Sequence, residues 1–509
     1  MPKRINVTRP LAVLAAIAMA TILRGDQIPA QSELTALSAF TDAIDAYIYG
    51  YPLMMIGLTG RVATTTPGAI LNAGRAPLNQ FTKSTVLPDG TYKDVVLPST
   101  TTLYASAFLN LTAEPVIMHL PVIDRFYLMQ MLDAWTNVTT KSPGTRQGSP
   151  EGDYAIVGPG WNGDLPAGVP IQNVIPMPTN TAWIIGRIFT SGTQQDLMHV
   201  KNDIIPYLTL TPASAYGKNI PAPGNLPIDP SIDTATTPLH QVENMNACTY
   251  FGTMAAMMKA NPPLLPQDQR TITRLAKIKL VPGDPFDCAD PDLDGNTKAA
   301  LELGVQVART NLQSAQGSLQ PTATNWLMPL NVGEYGRQYV LRAVVANKAL
   351  GANLPEDAVY GYATNDGGGN VLKGKNRYTI HFAAATNRHI AGELPPVNKN
   401  SFWSVTIYKA DGALVDKPGV TYNAIGVGPQ GVATIQDHTA CFNRDGSLDL
   451  YLQADQPSNA AQVCNWIPIP DDEKVAADKP DFIVFLRMYW ADQAVLRGRW
   501  IPPVVRLLN

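Results

Sequence analysis

The sequence predicts a mainly β protein with helical additions, of the α+β class. Of its 509 residues, 45% are hydrophobic and 16% are charged, which is enough apolar material for two or three domains. The 43 Pro and 39 Gly indicate frequent turns and few long helices. Short apolar runs separated by Pro and Gly clusters are typical of β sandwiches or barrels. A small scaffold that depends on metals or disulfides is excluded.

Residues 1–30 are predicted to be a secretory signal peptide. Three basic residues precede the uncharged, apolar stretch from Pro10 to Leu23. This stretch is shorter than the ~20 residues that cross a bilayer, but it suits the hydrophobic part of a signal, with cleavage after Ala20 or Ala30. The alternatives are a buried N-terminal helix or an uncleaved anchor, and in the second case residues 10–23 would be the contact with the membrane. The protein is therefore expected to be secreted, periplasmic or bound to the cell envelope.

Residues 31–240 are predicted to form an N-terminal helix and a first β domain. Apolar residues at three- and four-residue steps indicate an amphipathic helix from Leu34 to about Tyr51, which Pro52 would interrupt. The β-type runs that follow are Leu103–Leu111, Val116–Leu120, Tyr127–Trp135, Tyr154–Val157 and Trp183–Thr190. Pro- and Gly-rich clusters separate them, as expected for strands of an antiparallel sheet.

Residues 241–350 are predicted to be a helical connector, and residues 351–509 a second β domain. Val242–Ala260 and Thr297–Gln313 are the two strong helical segments. Hairpin-type turns and β-type runs return after Val359, and the runs are Trp403–Tyr408, Ala413–Val415, Leu448–Leu452 and Phe482–Trp490. The last run is apolar enough to be a central strand.

Charge and cysteine content restrict the partners and the compartment. The balance of 38 Lys and Arg against 41 Asp and Glu leaves a net charge of −3 with no basic run, so nucleic acid is not expected as a partner. Four cysteines could form up to two bridges in an oxidising compartment. A Cys441–Cys464 bridge is favoured because both residues flank the same predicted strand region, and buried free thiols are the alternative.

Two motifs match the residue patterns of ligand-binding sites but lack the flanking residues that such sites need. Gly158–Gly163 matches G-x-G-x-x-G, but the residues after it cannot begin the helix that a dinucleotide site needs. Asp290–Gly295 starts like a calcium loop, but its closing glutamate would be Glu302, one residue late, so Asp294 or Asn296 is expected to cap the next helix instead. The six histidines are scattered. No cofactor or metal site is predicted.

Charged residues within apolar strands are the remaining candidates for a site. Asp133, Arg187 and Arg487 each lie in such a run, where a charge must face solvent, form a pair or line a cavity. Asp133, Arg146 and Arg187 are the candidate catalytic residues, with Asp133 as general base and Arg146 or Arg187 binding a developing oxyanion. The candidate ligand-binding residues are Tyr104, Trp135, Asn137, Asn180, Trp183 and Arg487.

The segments also resemble, in order, the two-domain family of the domains of unknown function 1254 and 1214. The first half is similar in Ala46–Pro52, Leu103–Tyr104, Tyr127–Asn137, Gly144–Arg146 and Pro178–Arg187. The second half is similar in Gly351–Pro355, Phe402–Tyr408, Asn465–Pro468, Leu486–Trp490 and Gly498–Pro503. The resemblance implies an exported or envelope-associated protein with two jelly-roll-like β-sandwich domains. Where the family has Asn-Asn-Asp, this chain has Ser99-Thr100-Thr101, which removes a carboxylate.

Two functions are expected from these observations. The first is an exported or envelope-associated module that binds a small molecule or has a structural role. The alternative is an enzyme of hydrolase or isomerase type that acts on a small carbonyl or carboxylate compound in a pocket of a β domain. A small molecule is the expected partner, and the sequence leaves open whether the chain forms a homo-oligomer.

Overall fold

Two β sandwiches and a set of helices make up the computed structural model, which describes residues 31–91, 97–218, 226–264, 266–315, 321–471 and 475–508. The expected export signal, residues 1–30, lies outside the described residues. The predicted fold class is confirmed, since the chain is α+β with mostly antiparallel sheets and two β-rich domains.

The first sandwich consists of two four-stranded sheets. Its strands are β1 (Thr82–Lys83), β2 (Thr102–Asn110), β3 (Val116–Leu120), β4 (Tyr127–Asp133), β5 (Gly152–Val157), β6 (Val174–Pro176), β7 (Thr181–Phe189) and β8 (Thr209–Pro212). One sheet has the order β1-β2-β7-β4 and the other β6-β5-β3-β8. Leu103, Met129 and Ile184 of one sheet share a core with Met118 and Ile156 of the other.

The second sandwich repeats this plan. Its strands are β9 (Ala358–Ala363), β10 (Arg377–Phe382), β11 (Trp403–Lys409), β12 (Ala424–Val427), β13 (Thr434–Ile435), β14 (His438–Thr439), β15 (Leu448–Gln453), β16 (Trp466–Pro468), β17 (Phe482–Tyr489) and β18 (Arg506–Leu508). The two main sheets have the orders β12-β11-β17-β9 and β16-β15-β10-β18, and β13 pairs with β14 as a small hairpin. In each sandwich one edge strand runs parallel to its neighbour, β6 beside β5 and β16 beside β15.

The helices pack mainly on one another. They are α1 (Gln31–Thr64), α2 (Gln194–His199), α3 (Pro238–Glu243), α4 (Ala247–Ala260), α5 (Gln269–Leu275), α6 (Gly295–Ser314), α7 (Tyr339–Lys348), α8 (Ala460–Val463) and α9 (Gln493–Leu496). Helix α1 lies at the centre and contacts α6, α7 and α4. Gly304 of α6 permits the close approach to α1, because a Cβ there would lie 2.7 Å from the Ala43 Cβ and from the Phe40 oxygen.

The prediction that Pro52 interrupts the first helix is wrong. Helix α1 continues through Pro52 to Thr64. A proline inside a helix loses one hydrogen bond and costs about 3 kcal/mol. Residues 49–56 are all buried, so packing around the whole circumference of the helix offsets that cost.

Burial distinguishes the sheets that face solvent from those that do not. Strands β10 and β15 alternate between buried and less buried residues, as expected for sheets with one solvated face. All seven residues of β4 are buried, and β17 is buried at seven of eight positions. The sheets that contain β4 and β17 are therefore covered on both faces, by their own sandwich core and by a second layer.

Two disulfides connect the four cysteines. Cys441 pairs with Cys464, as predicted, and Cys248 pairs with Cys288. Disulfides of this kind are typical of extracellular or periplasmic proteins. None of the helices in the described residues combines the length and hydrophobicity needed to cross a membrane.

Candidate functional site

The two sandwiches contact each other through the outer faces of two sheets. The ring centroids of Phe189, on β7, and Phe402, the residue before β11, lie 4.6 Å apart. Phe126, before β4, contacts Phe402 and Tyr489 at 5.4 Å each. This aromatic contact explains why β4, β7, β11 and β17 are buried on both faces.

Each of the facing sheets contributes one buried arginine from its central strand. Arg187 of β7 is 7% exposed and lies directly opposite Tyr104 of β2. Arg487 of β17 is 4% exposed and lies directly opposite Tyr360 of β9. The same arginine–tyrosine cross-strand pair thus occurs once on each side of the interface. We call these four residues, with Asn353 and Tyr489, the interdomain arginine cluster.

Arg187 is held by neutral groups. Its Nη1 donates to the side-chain oxygens of Gln130 at 2.5 Å and Asn353 at 3.2 Å, and to the Ile185 carbonyl at 3.2 Å. Its guanidinium carbon lies 5.7 Å from the centre of the Tyr104 ring. Gln130 also donates to the carbonyls of Gly351 and Ala352, so the segment between the two domains crosses this face.

Arg487 reaches across the interface from the second sandwich. Its Nη2 donates to the Leu97 carbonyl at 2.8 Å, and its guanidinium carbon lies 4.4 Å from the Phe485 ring centre, 5.4 Å from that of Tyr408 and 5.8 Å from that of Tyr360. The Asn353 amide donates to the Tyr360 hydroxyl at 2.7 Å and so connects the two arginines.

No negative charge balances this cluster in the described part of the chain, where neither Arg187 nor Arg487 forms an ion pair. Burial raises the pKa of Tyr408 to about 12, although Arg487 lowers it, and burial raises the pKa of Tyr489 well above 10. Both phenols are therefore neutral at physiological pH. Arginine keeps its charge in proteins, so two positive charges are buried together.

Several buried polar atoms on the facing sheets also lack a hydrogen-bond partner. They are Arg187 Nε, Tyr489 Oη, Ser404 Oγ and Thr102 Oγ1. Ser404 is the direct cross-strand neighbour of Arg487 on β11. A buried polar atom without a partner costs about 1–3 kcal/mol, so a group that accepted hydrogen bonds from these donors would stabilise the interface.

Asp133 does not lie in this cluster. Asp133 is the last residue of β4 and pairs with Ala182 of β7, five register positions from the pair of Leu128 with Arg187, or roughly 17 Å along the strands. Its carboxylate accepts bonds from the Trp135 and Asn137 backbone and from the Asn137 side chain at 2.8–3.0 Å. Burial raises the pKa of Asp133 to about 6, although those bonds and Arg342 lower it.

The other candidate residues lie in three further places. Arg146 donates to Asp357 at 2.6 Å and so forms an ion pair between the two halves of the chain. Trp183 stacks on Phe108 at 5.0 Å and donates to Ser106. Asn180 donates to the Ala260 carbonyl at the end of α4. The structure therefore brings Tyr104, Arg187 and Arg487 together and leaves Asp133, Arg146 and Asn180 elsewhere.

Sequence reasoning missed a third buried arginine. Arg342 of α7 is fully buried among aromatic rings, with its guanidinium carbon 5.4 Å from Tyr49 and Trp135 and 5.2 Å from Tyr339. Asp133 lies close enough for Arg342 to lower its pKa. The sequence does contain a signal for a buried charge here, since Arg342 is the one charged residue in the apolar run from Val340 to Ala346.

The loop that resembles a calcium site is occupied by local bonds. Asp294 caps α6 by accepting from the Thr297 backbone, so Asp294 and not Asn296 is the cap. Asp292 pairs with Lys279 at 2.6 Å, and Glu302 accepts from the Ala247 backbone at 2.7 Å. Within the described residues, no group of three or more His, Cys, Asp or Glu side chains could hold a metal ion.

Comparison with known proteins identifies both halves. The profile described as "Protein of unknown function (DUF1254)" matches residues 78–212, and the one described as "Protein of unknown function (DUF1214)" matches residues 357–493. Together they match more than half of the chain. Among curated proteins, no sequence matches this chain.

Two solved structures match this chain over most of its length. The VPA0106 protein from Vibrio parahaemolyticus is 21% identical, and the match covers 92% of this chain and all of that chain, with a TM-score of 0.62. An uncharacterized protein from Burkholderia cenocepacia is 13% identical over 94% of this chain and 96% of that chain, with a TM-score of 0.42. The first of these supports the two-domain fold.

Proposed function

This chain belongs to the family that pairs a DUF1254 domain with a DUF1214 domain, and we propose that it binds a small anionic compound between those two domains. The single observation that carries the proposal is the pair of buried arginines, Arg187 and Arg487, which have no carboxylate partner among the described residues. A buried charge is costly unless an opposite charge or several hydrogen bonds compensate it. Arginine is also the side chain best suited to hold carboxylate or phosphate groups.

The most exposed residues of the cluster are two tyrosines. Tyr104 and Tyr360 are only half-buried, whereas Tyr489 is fully buried. A ligand entering there would meet one aromatic ring from each domain before it reached the guanidinium groups. Apolar walls with a few convergent polar groups are typical of small-molecule sites.

Export is part of this proposal. The basic residues and apolar stretch in residues 1–30 favour a signal peptide, and the two disulfides favour an oxidising compartment. The protein would therefore meet its ligand outside the cytoplasm, as a binding module or as a structural component of the envelope.

The enzyme alternative has less support from the geometry. It requires Asp133 to act on a compound held by Arg146 or Arg187. The Asp133 carboxylate accepts bonds from its own turn, and Arg146 pairs with Asp357. No arginine side chain donates to Asp133 among the described residues, so a shared reaction site for the three is not proposed.

Thermal unfolding of the purified chain with acetate, succinate or methyl phosphate tests the binding proposal. A ligand at about 100 times its dissociation constant stabilises the folded state by about 2.7 kcal/mol, which raises the unfolding midpoint. We expect at least one of these anions to raise the midpoint of the parent protein. Arg187→Gln and Arg487→Gln should remove that increase, whereas Arg377→Gln, on the exposed face of β10, should keep it. If no anion has an effect, or if all three variants respond like the parent, the binding proposal is wrong and a structural role remains.

A further inference from the structure

We propose that the ligand of the interdomain arginine cluster is a small organic dianion, with one anionic group facing each arginine. This inference rests on the proposed binding function and adds the charge and the two-ended arrangement of the ligand. Three observations support it: the ion pairs of other buried charges, the arrangement of the two guanidinium groups and the unpartnered donors beside them.

Several other buried charges in the described residues lie close to an opposite charge. Asp481, 0% exposed at its side chain, pairs with Lys373 at 3.0 Å. Asp357, 2% exposed, pairs with Arg146 at 2.6 Å. Arg342 lies close enough to Asp133 to lower its pKa. Within the described residues, Asp268 and Asp366 are also buried without an ion pair, but each is a single charge held by neutral donors. The interdomain arginine cluster differs because it places two like charges on facing sheets.

Neutral contacts do not remove this charge. The acceptors of the two arginines are amide, carbonyl and hydroxyl oxygens, which satisfy individual N–H groups but carry no net negative charge. The aromatic rings around them attract the guanidinium groups but carry no net negative charge. Two positive charges would be neutralised by two negative charges on the ligand.

The two guanidinium groups lie at opposite ends of a short bridge. Arg187 donates to the Asn353 oxygen, and the Asn353 amide donates to the Tyr360 hydroxyl. The Tyr360 ring in turn lies beside Arg487. Because Asn353 and Tyr360 separate the arginines, two anionic groups at the two ends of a ligand fit better than a single group shared by both.

Donors without partners are present on both sides of the interface. Arg187 Nε belongs to the first sandwich, and Ser404 Oγ and Tyr489 Oη belong to the second. Each can donate to an anionic oxygen. A ligand with an oxygen-rich group at both ends would therefore satisfy atoms on both sheets.

Isothermal titration with two matched pairs of probes tests the charge of the ligand. At pH 8, succinate carries two charges and succinamate, of the same size, carries one, while methyl phosphate carries two and dimethyl phosphate one. We expect the dianion of at least one pair to bind about tenfold more tightly or better than its monoanion. The pair that shows the difference identifies the chemistry as dicarboxylate or phosphate ester. Equal affinities within both pairs would overturn the inference.

A pair of variants at Ser404 supplies a second test. Directly opposed residues of an antiparallel pair have Cβ atoms about 5 Å apart, so Ser404→Asp places a carboxylate beside Arg487. The side chain of the neutral Ser404→Asn variant has the same size as that of the Asp variant. A difference between the two variants therefore reports the added charge and not the added volume. The ratio of dianion to monoanion affinity should be about tenfold lower in the Asp variant than in the Asn variant. An unchanged ratio would contradict the inference.

The two proposals fail in different ways. If neither probe of either pair binds, the proposed function itself is wrong. If the monoanions bind as tightly as the dianions and Arg187→Gln still removes binding, the anion site stands and only the dianion is wrong. Circular dichroism of each variant checks folding. If an arginine variant does not fold, the comparison of Ser404→Asp with Ser404→Asn still tests the charge of the ligand.

Discussion

The carboxylate of Asp133 illustrates how one buried residue affects the pH dependence of stability. Its pKa is raised from 3.8 to about 6 because burial disfavours the charged form. The folded state therefore holds this proton more tightly than the unfolded state. The contribution of Asp133 to the free energy of unfolding is fully present below pH 3.8 and is lost as the pH rises through about 6.

Asp133→Asn should abolish this dependence. Between pH 4 and pH 7, the free energy of unfolding of the parent protein should fall relative to that of the Asn variant by on the order of 3 kcal/mol. Urea unfolding at several pH values measures the difference. Asp284→Asn, at an exposed position, serves as the control. A parent–variant difference that rises or stays constant with pH would show that the folded-state pKa of Asp133 is not raised.

At the residue scale, the sequence identified the charges but not their partners. Asp133, Arg187 and Arg487 were recognisable because each interrupts an apolar run. Whether such a charge pairs, caps a turn or joins a cluster depends on residues far away in the chain, such as Asn353 and Tyr360 around Arg187 and Arg487. Two arginines 300 positions apart on different sheets have no local pattern that connects them.

The packing of α6 against α1 depends on a single glycine. A side chain at Gly304 would meet the Ala43 Cβ and the Phe40 oxygen at 2.7 Å, which no Cβ tolerates without a shift of one helix. Gly252, inside α4, has its nearest such neighbour at 3.9 Å. The two glycines therefore form a matched pair, one required by a close approach and one not.

Alanine at these two positions should have opposite effects. Gly304→Ala should destabilise the protein by about 1–3 kcal/mol through overpacking. Gly252→Ala should be neutral or stabilise it by about 0.5–1 kcal/mol, because alanine favours the helix over the unfolded chain. Thermal unfolding midpoints compare both variants with the parent. If Gly304→Ala unfolds at or above the parent midpoint, α6 does not require this close contact.

At the scale of elements, periodicity predicted the existence of most segments better than their ends. Strands β2, β3 and β7 agree with the predicted runs to within two residues. The predicted end of α1 was wrong because Pro52 is a helix-breaking signal in the local sequence, whereas the packing that outweighs it comes from α4, α6 and α7. Helix α7 was not predicted separately, since its apolar residues resemble a short buried strand.

The two disulfides are expected to stabilise different parts of the whole molecule. Cys441–Cys464 closes a loop of 23 residues and Cys248–Cys288 one of 40, each worth about 3–4 kcal/mol in the chain-entropy account. The hairpin β13–β14 precedes Cys441 and touches the first sandwich, since the Asp437 backbone donates to the Ser191 carbonyl at 2.9 Å.

Removal of Cys441–Cys464 should loosen the contact between the sandwiches. In the double variant Cys441→Ser, Cys464→Ser, hydrogen exchange should become faster at Ile435 and Asp437, and the unfolding midpoint should fall. The variant Cys248→Ser, Cys288→Ser should lower the midpoint without changing exchange in the hairpin. If exchange at Ile435 and Asp437 is the same in both variants, the first bridge does not hold the hairpin against its neighbour.

For the whole molecule, composition and turn chemistry predicted two β domains with helices, and the resemblance implied their sandwich form. The pairing of the two outer sheet faces was not predictable, because a strand buried on both faces has the same apolar pattern whether a helix or another sheet covers it. The interdomain arginine cluster exists only through that pairing.

The central position of α1 has a consequence for the order in which the chain can fold. Its partners α6 and α7 end at Ser314 and Lys348, so an emerging N-terminal segment has no lasting place to bury its apolar surface. Such high contact order slows folding and prolongs exposure of apolar segments. Arg487 comes later still, on β17. The cluster between the sandwiches exists only when both sandwiches have folded and docked, so anion binding would report that this docking is complete.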